Sequence, residues 1–219
     1  MKTRKFLLIF TTLYTILFLG RGLDLLGINW LIYPVYFLLF ILGILAYREE
    51  LKEQLALILT KKKEFLKTIS LYMVFVFLLS IACNFLSAFI KYSLDLPLQG
   101  QNDANIQGAL LKNPFLITVF GSFIGPFVEE FFFRRFFLGT FLAKFSNWLG
   151  IVLTTFLFAT LHMHSWALSE WVTAISYIAG GLLLSILYLR KDKNIWYPIA
   201  LHCCNNIIAF VMTIFSISQ

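Results

Sequence analysis

Long apolar runs, broken only by short charged clusters, are the feature that most constrains the fold of this chain. Of its 219 residues, 60% are hydrophobic and 13% are charged, and the mean hydropathy is +0.83. A soluble domain carries about 25% charged residues. Runs that are continuous rather than alternating predict membrane-spanning helices and not membrane β-strands. The sequence therefore predicts an all-α polytopic membrane protein that forms a single membrane domain over residues 1–219.

The apolar runs predict about seven or eight transmembrane helices. Seven lie at residues 6–20, 28–47, 68–90, 114–133, 147–163, 171–189 and 195–216. The fourth either continues to about residue 143 or is followed by an interfacial helix over residues 136–145. Residues 91–112 are rich in turn formers, which predicts the longest polar loop there. No small-residue cleavage site follows the first run, so the first helix is predicted to stay uncleaved.

The distribution of basic residues predicts the orientation of these helices. With the N-terminus in the cytoplasm, 15 of the 18 Lys and Arg residues fall on the cytoplasmic side, and Arg21, Lys91 and Lys112 fall on the other. Cytoplasmic loops carry such an excess of basic residues. The net charge of +7 is therefore attributed to the cytoplasmic loops. Membrane lipids are the predicted partner, and no nucleic-acid partner is predicted. An amphipathic segment over residues 48–67 is predicted to lie on the inner leaflet.

Two adjacent carboxylates, Glu129 and Glu130, interrupt an apolar run, whereas the other nine acidic residues lie in loops or at helix ends. A carboxylate at membrane depth costs several kcal/mol unless it is paired or hydrated. Glu130 and Arg134 are four residues apart on nearly one helix face, which predicts an ion pair that holds the helix in position. Glu129 points about 100° away and is left free for chemistry. The alternative is that all three residues form only a packing salt bridge.

Two later spans also carry polar residues at helical spacing. His162 follows Phe158 by four residues and His202 precedes Asn206 by four, so each pair shares a helix face. A single membrane histidine commonly does no more than hydrogen-bond two helices. Two histidines, a pair of glutamates and an asparagine on three spans are instead predicted to converge on one intramembrane cavity. Carboxylate and imidazole groups can activate a water molecule, and imidazole and carboxamide N–H groups can donate to a developing negative charge.

The depths of these residues in the predicted topology do not agree directly. Counted from the span ends, Glu129, His162 and His202 differ in depth by on the order of 10 Å at 1.5 Å per residue. Either the fourth helix is long and Glu129 lies near its middle, or the helices are staggered or tilted.

Three motifs follow one another on these apolar helices. Residues 129–134 fit the pattern EExxxR, residues 158–162 fit FxxxH, and residues 202–206 fit HxxxN. In this order they resemble the CPBP family, which includes the type II CAAX prenyl endopeptidases and the Abi proteins linked to bacteriocin processing and self-immunity. The resemblance covers about residues 114–216, the predicted catalytic helix core, and leaves the N-terminal helices and loops of residues 1–113 outside it.

This resemblance implies a glutamate-dependent intramembrane peptidase with its catalytic cavity inside the membrane. Glu129 would be the base that activates water, and His162 would assist it. His202 and Asn206 would stabilise the tetrahedral oxyanion. The implied supporting residues are Glu130, Arg134 and Phe158. The implied substrate is a lipidated protein or a small peptide, which enters from the lipid or from the cytoplasmic side.

Composition and chain length favour a bacterial plasma-membrane protein, and in that setting peptide maturation or immunity is favoured over CAAX processing. No cofactor is expected, although two histidines and a carboxylate, Glu129, His162 and His202, would also allow a zinc site with an open position for water. HExxH does not occur in the sequence, which favours the metal-independent mechanism. A non-catalytic immunity or scaffold protein remains an alternative. So does a small transporter with a buried proton path, although no internal repeat supports it.

Overall fold

A computed structural model describes residues 2–217, and within that range all regular structure is helical. The main helices are α1 (Lys2–Tyr14), α2 (Ile32–Thr60), α3 (Lys62–Ser93), α4 (Gln101–Lys112), α5 (Pro114–Phe141), α6 (Asn147–Leu161), α7 (Leu168–Arg190) and α8 (Trp196–Ile217). A π-helical turn, Thr15–Leu19, extends α1, and two short helical turns, Gly22–Leu25 and Asn29–Leu31, lead into α2.

Among the described residues, five helices are long and apolar enough to cross a membrane, namely α2 with its preceding turn, α3, α5, α7 and α8. The apolar helix α6 is shorter. Outward-facing rings on α3, including Phe77, Phe85 and Phe89, are 61%, 77% and 62% exposed. Such a surface suits lipid, in which apolar side chains need no further burial. The predicted all-α polytopic membrane fold is confirmed, and the total of seven or eight spans stays a prediction.

Residues 48–67 do not form a segment of their own, and their location on the inner leaflet stays a prediction. Helix α2 continues through them to Thr60, and α3 begins at Lys62 after a break at Lys61. Residues 48–60 contain no Gly or Pro and are rich in Glu and Leu, which favour helix. Tertiary contacts then hold the extension, since the Gln54 side chain accepts a hydrogen bond from the Ile195 backbone N–H.

The structure also tests two expectations about connecting segments, and the polar loop is the one that is wrong. Half of the predicted polar loop over residues 91–112 is helix α4, whose first backbone N–H, on Gln101, donates to the Glu170 carboxylate. That carboxylate stabilises the helix N-terminus from another part of the chain. Of the two alternatives for the end of the fourth helix, continuation to about residue 143 is confirmed, because α5 extends to Phe141 and no separate interfacial helix forms over residues 136–145.

Helix α5 lies at the centre of the bundle and is held by aromatic contacts. Tyr14 of α1 stacks on Phe132 with 4.3 Å between ring centroids, and it meets Phe133 edge-on at 5.9 Å. Phe131 is fully buried and packs against α2 where Gly43 leaves room for its ring. Small residues allow such close helix approach in membrane bundles. The Phe131–Phe133 run therefore packs against both N-terminal helices. These contacts fix the position of the two preceding residues, Glu129 and Glu130, in the bundle.

We expect Gly43→Ala to destabilise the protein, because a Cβ at this position would clash with the Phe131 ring. Overpacking of this kind costs roughly 1–3 kcal/mol. Gly108→Ala is the matched control, since nothing lies within 4 Å of a Cβ there and the substitution should gain about 0.5–1 kcal/mol in helix propensity. Thermal unfolding of both purified variants in detergent would show opposite shifts, and equal shifts would contradict the packing described.

Candidate active site

A fully buried ion pair forms the base of the site. Arg134 Nη1 lies 3.0 Å from Glu130 Oε1, and both side chains are 0% exposed. The same Glu130 oxygen lies 2.8 Å from Nδ1 of His202 on α8, and Arg134 Nη2 donates to the Gly181 carbonyl on α7 at 3.2 Å. Because a carboxylate paired with arginine can only accept, His202 Nδ1 carries a proton and donates it. The pair therefore links α5, α7 and α8.

Glu129 lies next to this network but faces open space. Its side chain is 12% exposed, and its Oε2 is 3.9 Å from His202 Nε2. The Tyr36 hydroxyl of α2 also interacts with this carboxylate. Glu129 lies near the middle of the 28-residue helix α5, which resolves the difference in predicted depth in favour of a long fourth helix. The two adjacent glutamates thus have different surroundings, one enclosed by charge partners and one facing a cavity.

His162 follows the last residue of α6, and two contacts fix its ring. Its Nδ1 is 2.9 Å from the Phe158 carbonyl, and its ring stacks on Tyr177 of α7 with 4.3 Å between centroids. A carbonyl oxygen only accepts, so Nδ1 carries the proton and Nε2 of the neutral ring is left with a lone pair. His162 and Glu129 line the same two cavities, so Nε2 is available to a water or a substrate group there.

Asn206 is oriented by a π-helical segment of α5. Its side-chain N–H donates to the Gly121 carbonyl at 2.9 Å, and its Oδ1 accepts from Asn205 at 3.3 Å. Gly121 belongs to the π-helical turn Phe120–Ile124 and has no side chain because the Phe210 ring occupies that space. Such turns are common at functional sites. The second N–H of the Asn206 amide is left for another partner.

Phe158 supports the site through its ring. Arg134 Cζ lies 4.5 Å above that ring, and the His162 and His202 rings lie 4.9 Å and 5.9 Å from it. A guanidinium over an aromatic face is attracted to it, more strongly when water is excluded. One side chain therefore packs against three of the site's polar groups.

Two cavities meet at these residues. The first, about 480 Å³, lies between α3, α4, α7 and α8, and the second, about 560 Å³, lies between the α1–α2 connection, α5 and α6. Both are lined by Asn102, Ile106, Glu129, His162, Asn206 and Phe210. An extended chain could therefore lie across Glu129 and His162, with one side in each cavity.

A metal site was the alternative use of these residues. Within residues 2–217, no three carboxylate, imidazole or thiol side chains lie close enough together to hold a metal ion. His202 Nε2 and Glu129 Oε2 are 3.9 Å apart. The hydrogen bonds at Nδ1 of both histidines do resemble the outer-shell contacts of metal-bound imidazoles. Glu129, His162 and His202 thus border one space without forming a ready-made coordination sphere.

The structure brings together all seven residues that the motifs identify, and it adds others that the sequence did not indicate. Tyr36 contacts Glu129 and Tyr177 stacks on His162, yet neither stands in a recognisable spacing with the motifs. The sequence indicated Asn205 only through its position next to Asn206. His164, by contrast, is exposed, with Nε2 3.4 Å from the Asn105 side chain, and it contacts none of the motif residues directly.

The fold and the site define a polytopic membrane protein with carboxylate, imidazole and carboxamide groups around an intramembrane cavity. Residues 111–208 match the family described as type II CAAX prenyl endopeptidase Rce1-like. The chain is also similar to "Putative membrane peptidase YdiL" of Bacillus subtilis (strain 168), with 26% identity over 114 residues, 52% of this chain and 43% of that relative. No solved structure matches this chain. The family match covers less than half of the chain, and the chain spans less than half of the length of this relative, so the comparisons show similarity to membrane proteases of this kind.

We expect Arg134→Leu to destabilise the protein by about 3–5 kcal/mol, because Glu130 would keep a buried charge without its ion partner. The neighbouring Arg135 pairs with Glu50 at 2.7 Å, but both side chains are partly exposed. Arg135→Leu is therefore a matched control that should cost no more than about 1 kcal/mol. Thermal unfolding in detergent would separate the two variants, and similar losses would contradict the central role of the buried pair.

Proposed function

We propose that this protein is an intramembrane endopeptidase that hydrolyses a peptide bond in a membrane-associated protein or peptide. The observation that carries the proposal is the position of Glu129, a carboxylate that faces a cavity while its neighbour Glu130 is fully enclosed by Arg134 and His202. A packing salt bridge would account for Glu130 and Arg134, but it leaves Glu129 without a role.

In this proposal Glu129 accepts a proton from a water molecule as the water attacks the scissile carbonyl. The lone pair of His162 Nε2 holds the other hydrogen of that water and so orients it. General-base catalysis of this kind contributes typically 10²–10⁴-fold. The proton on Glu129 is then available to the leaving amine, which returns the carboxylate to its starting state.

His202 and Asn206 are proposed to donate hydrogen bonds to the oxyanion, and the geometry sets a condition on this role. Nδ1 of His202 already donates to Glu130, so Nε2 can donate only if the ring carries both protons. Glu130 stabilises that imidazolium, as an adjacent carboxylate does for other catalytic histidines. Glu130 is therefore a positioning residue in this scheme, whereas Asn206 donates with the N–H that Gly121 does not use.

The proposed substrate is a small peptide precursor or a lipidated protein. Maturation of a peptide such as a bacteriocin, or immunity to one, is the favoured setting, with a bacterial plasma membrane as the location. Lipid-facing helices such as α3 allow an apolar substrate to approach within the bilayer. A non-catalytic immunity or scaffold role is the second candidate, because the same cavities could bind a peptide without cutting it.

We expect Glu129→Gln to lose cleavage by roughly 10²–10⁴-fold, because glutamine keeps the shape but removes the basic oxygen. The assay would use purified protein in detergent with a farnesylated CAAX peptide and a pool of peptide precursors. Glu53→Gln is the matched control, since Glu53 is exposed on α2 away from both cavities. Equal cleavage by wild type and Glu129→Gln would contradict the proposed base.

A chelator added to the same assay would test the metal-independent mechanism proposed here. Unchanged activity is expected, because the water is activated by Glu129 and His162 without a Lewis acid. Loss of activity that added zinc restores would instead support the alternative in which Glu129, His162 and His202 bind the metal.

A further inference from the structure

The two ends of the helix bundle are distinct. One end holds the connections at residues 20–31, 94–100 and 162–167 together with α4, and contacts such as Arg21 Nη1 to the His164 carbonyl, 3.1 Å, join them. We call it the cavity end. The other end, the basic end, holds Lys61 and the connections at residues 142–146 and 191–195.

Basic residues are divided very unevenly between these ends. Of the 18 Lys and Arg residues, three are at the cavity end, Arg134 is buried in the core, and the other 14 lie towards the basic end. The cavity end exposes even less positive charge than this count suggests, since Lys91 is 2% exposed and donates to Leu98 and Thr173. Short loops with an excess of Lys and Arg remain in the cytoplasm. This places the basic end inside.

Both cavities extend to the opposite end, where exposed residues such as Asp103, Asn29 and His164 line them. The first is bordered there by Asn102, Asp103 and Gln107 of α4, and the second by Arg21 and His164. Among the described residues that line the two cavities, none comes from residues 48–67, 134–146 or 190–196, which form the basic end.

The basic end is closed by side-chain contacts beneath the site. Arg135 pairs with Glu50 at 2.7 Å, and the Trp196 indole N–H donates to the Leu51 carbonyl at 2.9 Å. On α2, the Gln54 side-chain N–H also donates to the Lys193 carbonyl. These contacts join α2, α5 and the start of α8, and none of the residues that make them lines either cavity.

We propose that the catalytic cavity opens to the extracytoplasmic face, so that the protein acts on peptide segments presented at the outer side of the membrane. The inference rests on the proposed function for the catalytic role of the cavity. The side of the membrane that the cavity faces is inferred from the distribution of charge and from the positions of the lining residues. It differs from entry on the cytoplasmic side, which is one of the two routes, lipid or cytoplasm, that the family resemblance implies. The substrate would be an exported peptide, or the outer segment of a membrane-anchored one, reached after its translocation.

The orientation is tested with single added cysteines and a membrane-impermeant maleimide on spheroplasts of a bacterial expression host. Ala104→Cys on α4 and Ala143→Cys between α5 and α6 form a matched pair, because both alanines are exposed and lie at opposite ends. Leu26→Cys and Lys63→Cys provide a second pair. The native Cys83 and Cys203 are buried and Cys204 is half-buried, so the protein without additions gives the background.

We expect Ala104→Cys and Leu26→Cys to be labelled on intact spheroplasts, and Ala143→Cys and Lys63→Cys to rise above background only after permeabilisation. Labelling of either basic-end cysteine on intact spheroplasts would overturn the inference. The inference would also be overturned if the two cavity-end cysteines reacted only after permeabilisation. Labelling does not depend on catalysis. A correctly labelled protein that cleaves nothing would count against the peptidase proposal alone, and an active protein with reversed labelling would count against the orientation alone.

Discussion

The buried charge network of Glu130, Arg134 and His202 is the constraint on which the rest of the site depends. Moving two charges out of water is costly, and their attraction compensates only when further hydrogen bonds satisfy them. Here Glu130 accepts from both partners through Oε1, and Arg134 also donates to the Gly181 carbonyl, whereas Glu130 Oε2 and Arg134 Nε have no hydrogen-bond partner among the described residues. These hydrogen bonds hold α5, α7 and α8 together around the buried ion pair. Phe158, beneath the guanidinium, adds α6.

The same network explains why two adjacent glutamates can perform different tasks. Successive helical residues point about 100° apart, so the charge partners that enclose Glu130 do not enclose Glu129. Glu129 instead faces the space shared by two cavities, which His162 also lines. The partners that hold the helix thus leave one carboxylate facing the cavities. Because burying a second carboxylate without a full set of partners is costly, Glu129 is the candidate for a functional role.

Local spacing was sufficient to predict part of this arrangement and insufficient for the rest. The four-residue spacing of Glu130 and Arg134 predicts their contact because helix geometry alone brings them together. Tyr36 and Tyr177 reach the site through packing between distant helices, which no spacing in the sequence encodes. Helix α4 was missed for a related reason, since its N-terminus is stabilised by Glu170, a residue far along the chain. The extent of α2 depended likewise on contacts with the α7–α8 connection.

The most direct test of the account is a double-mutant cycle between Glu129 and His162. If both act on one water, Glu129→Gln and His162→Gln should each remove most of kcat/KM on a substrate that the wild type cleaves, and the double variant should be little worse than the poorer single variant, as residues that act as a unit behave. Losses that multiply in the double variant would show that the two residues act independently, and would contradict the shared water at the centre of the proposed mechanism.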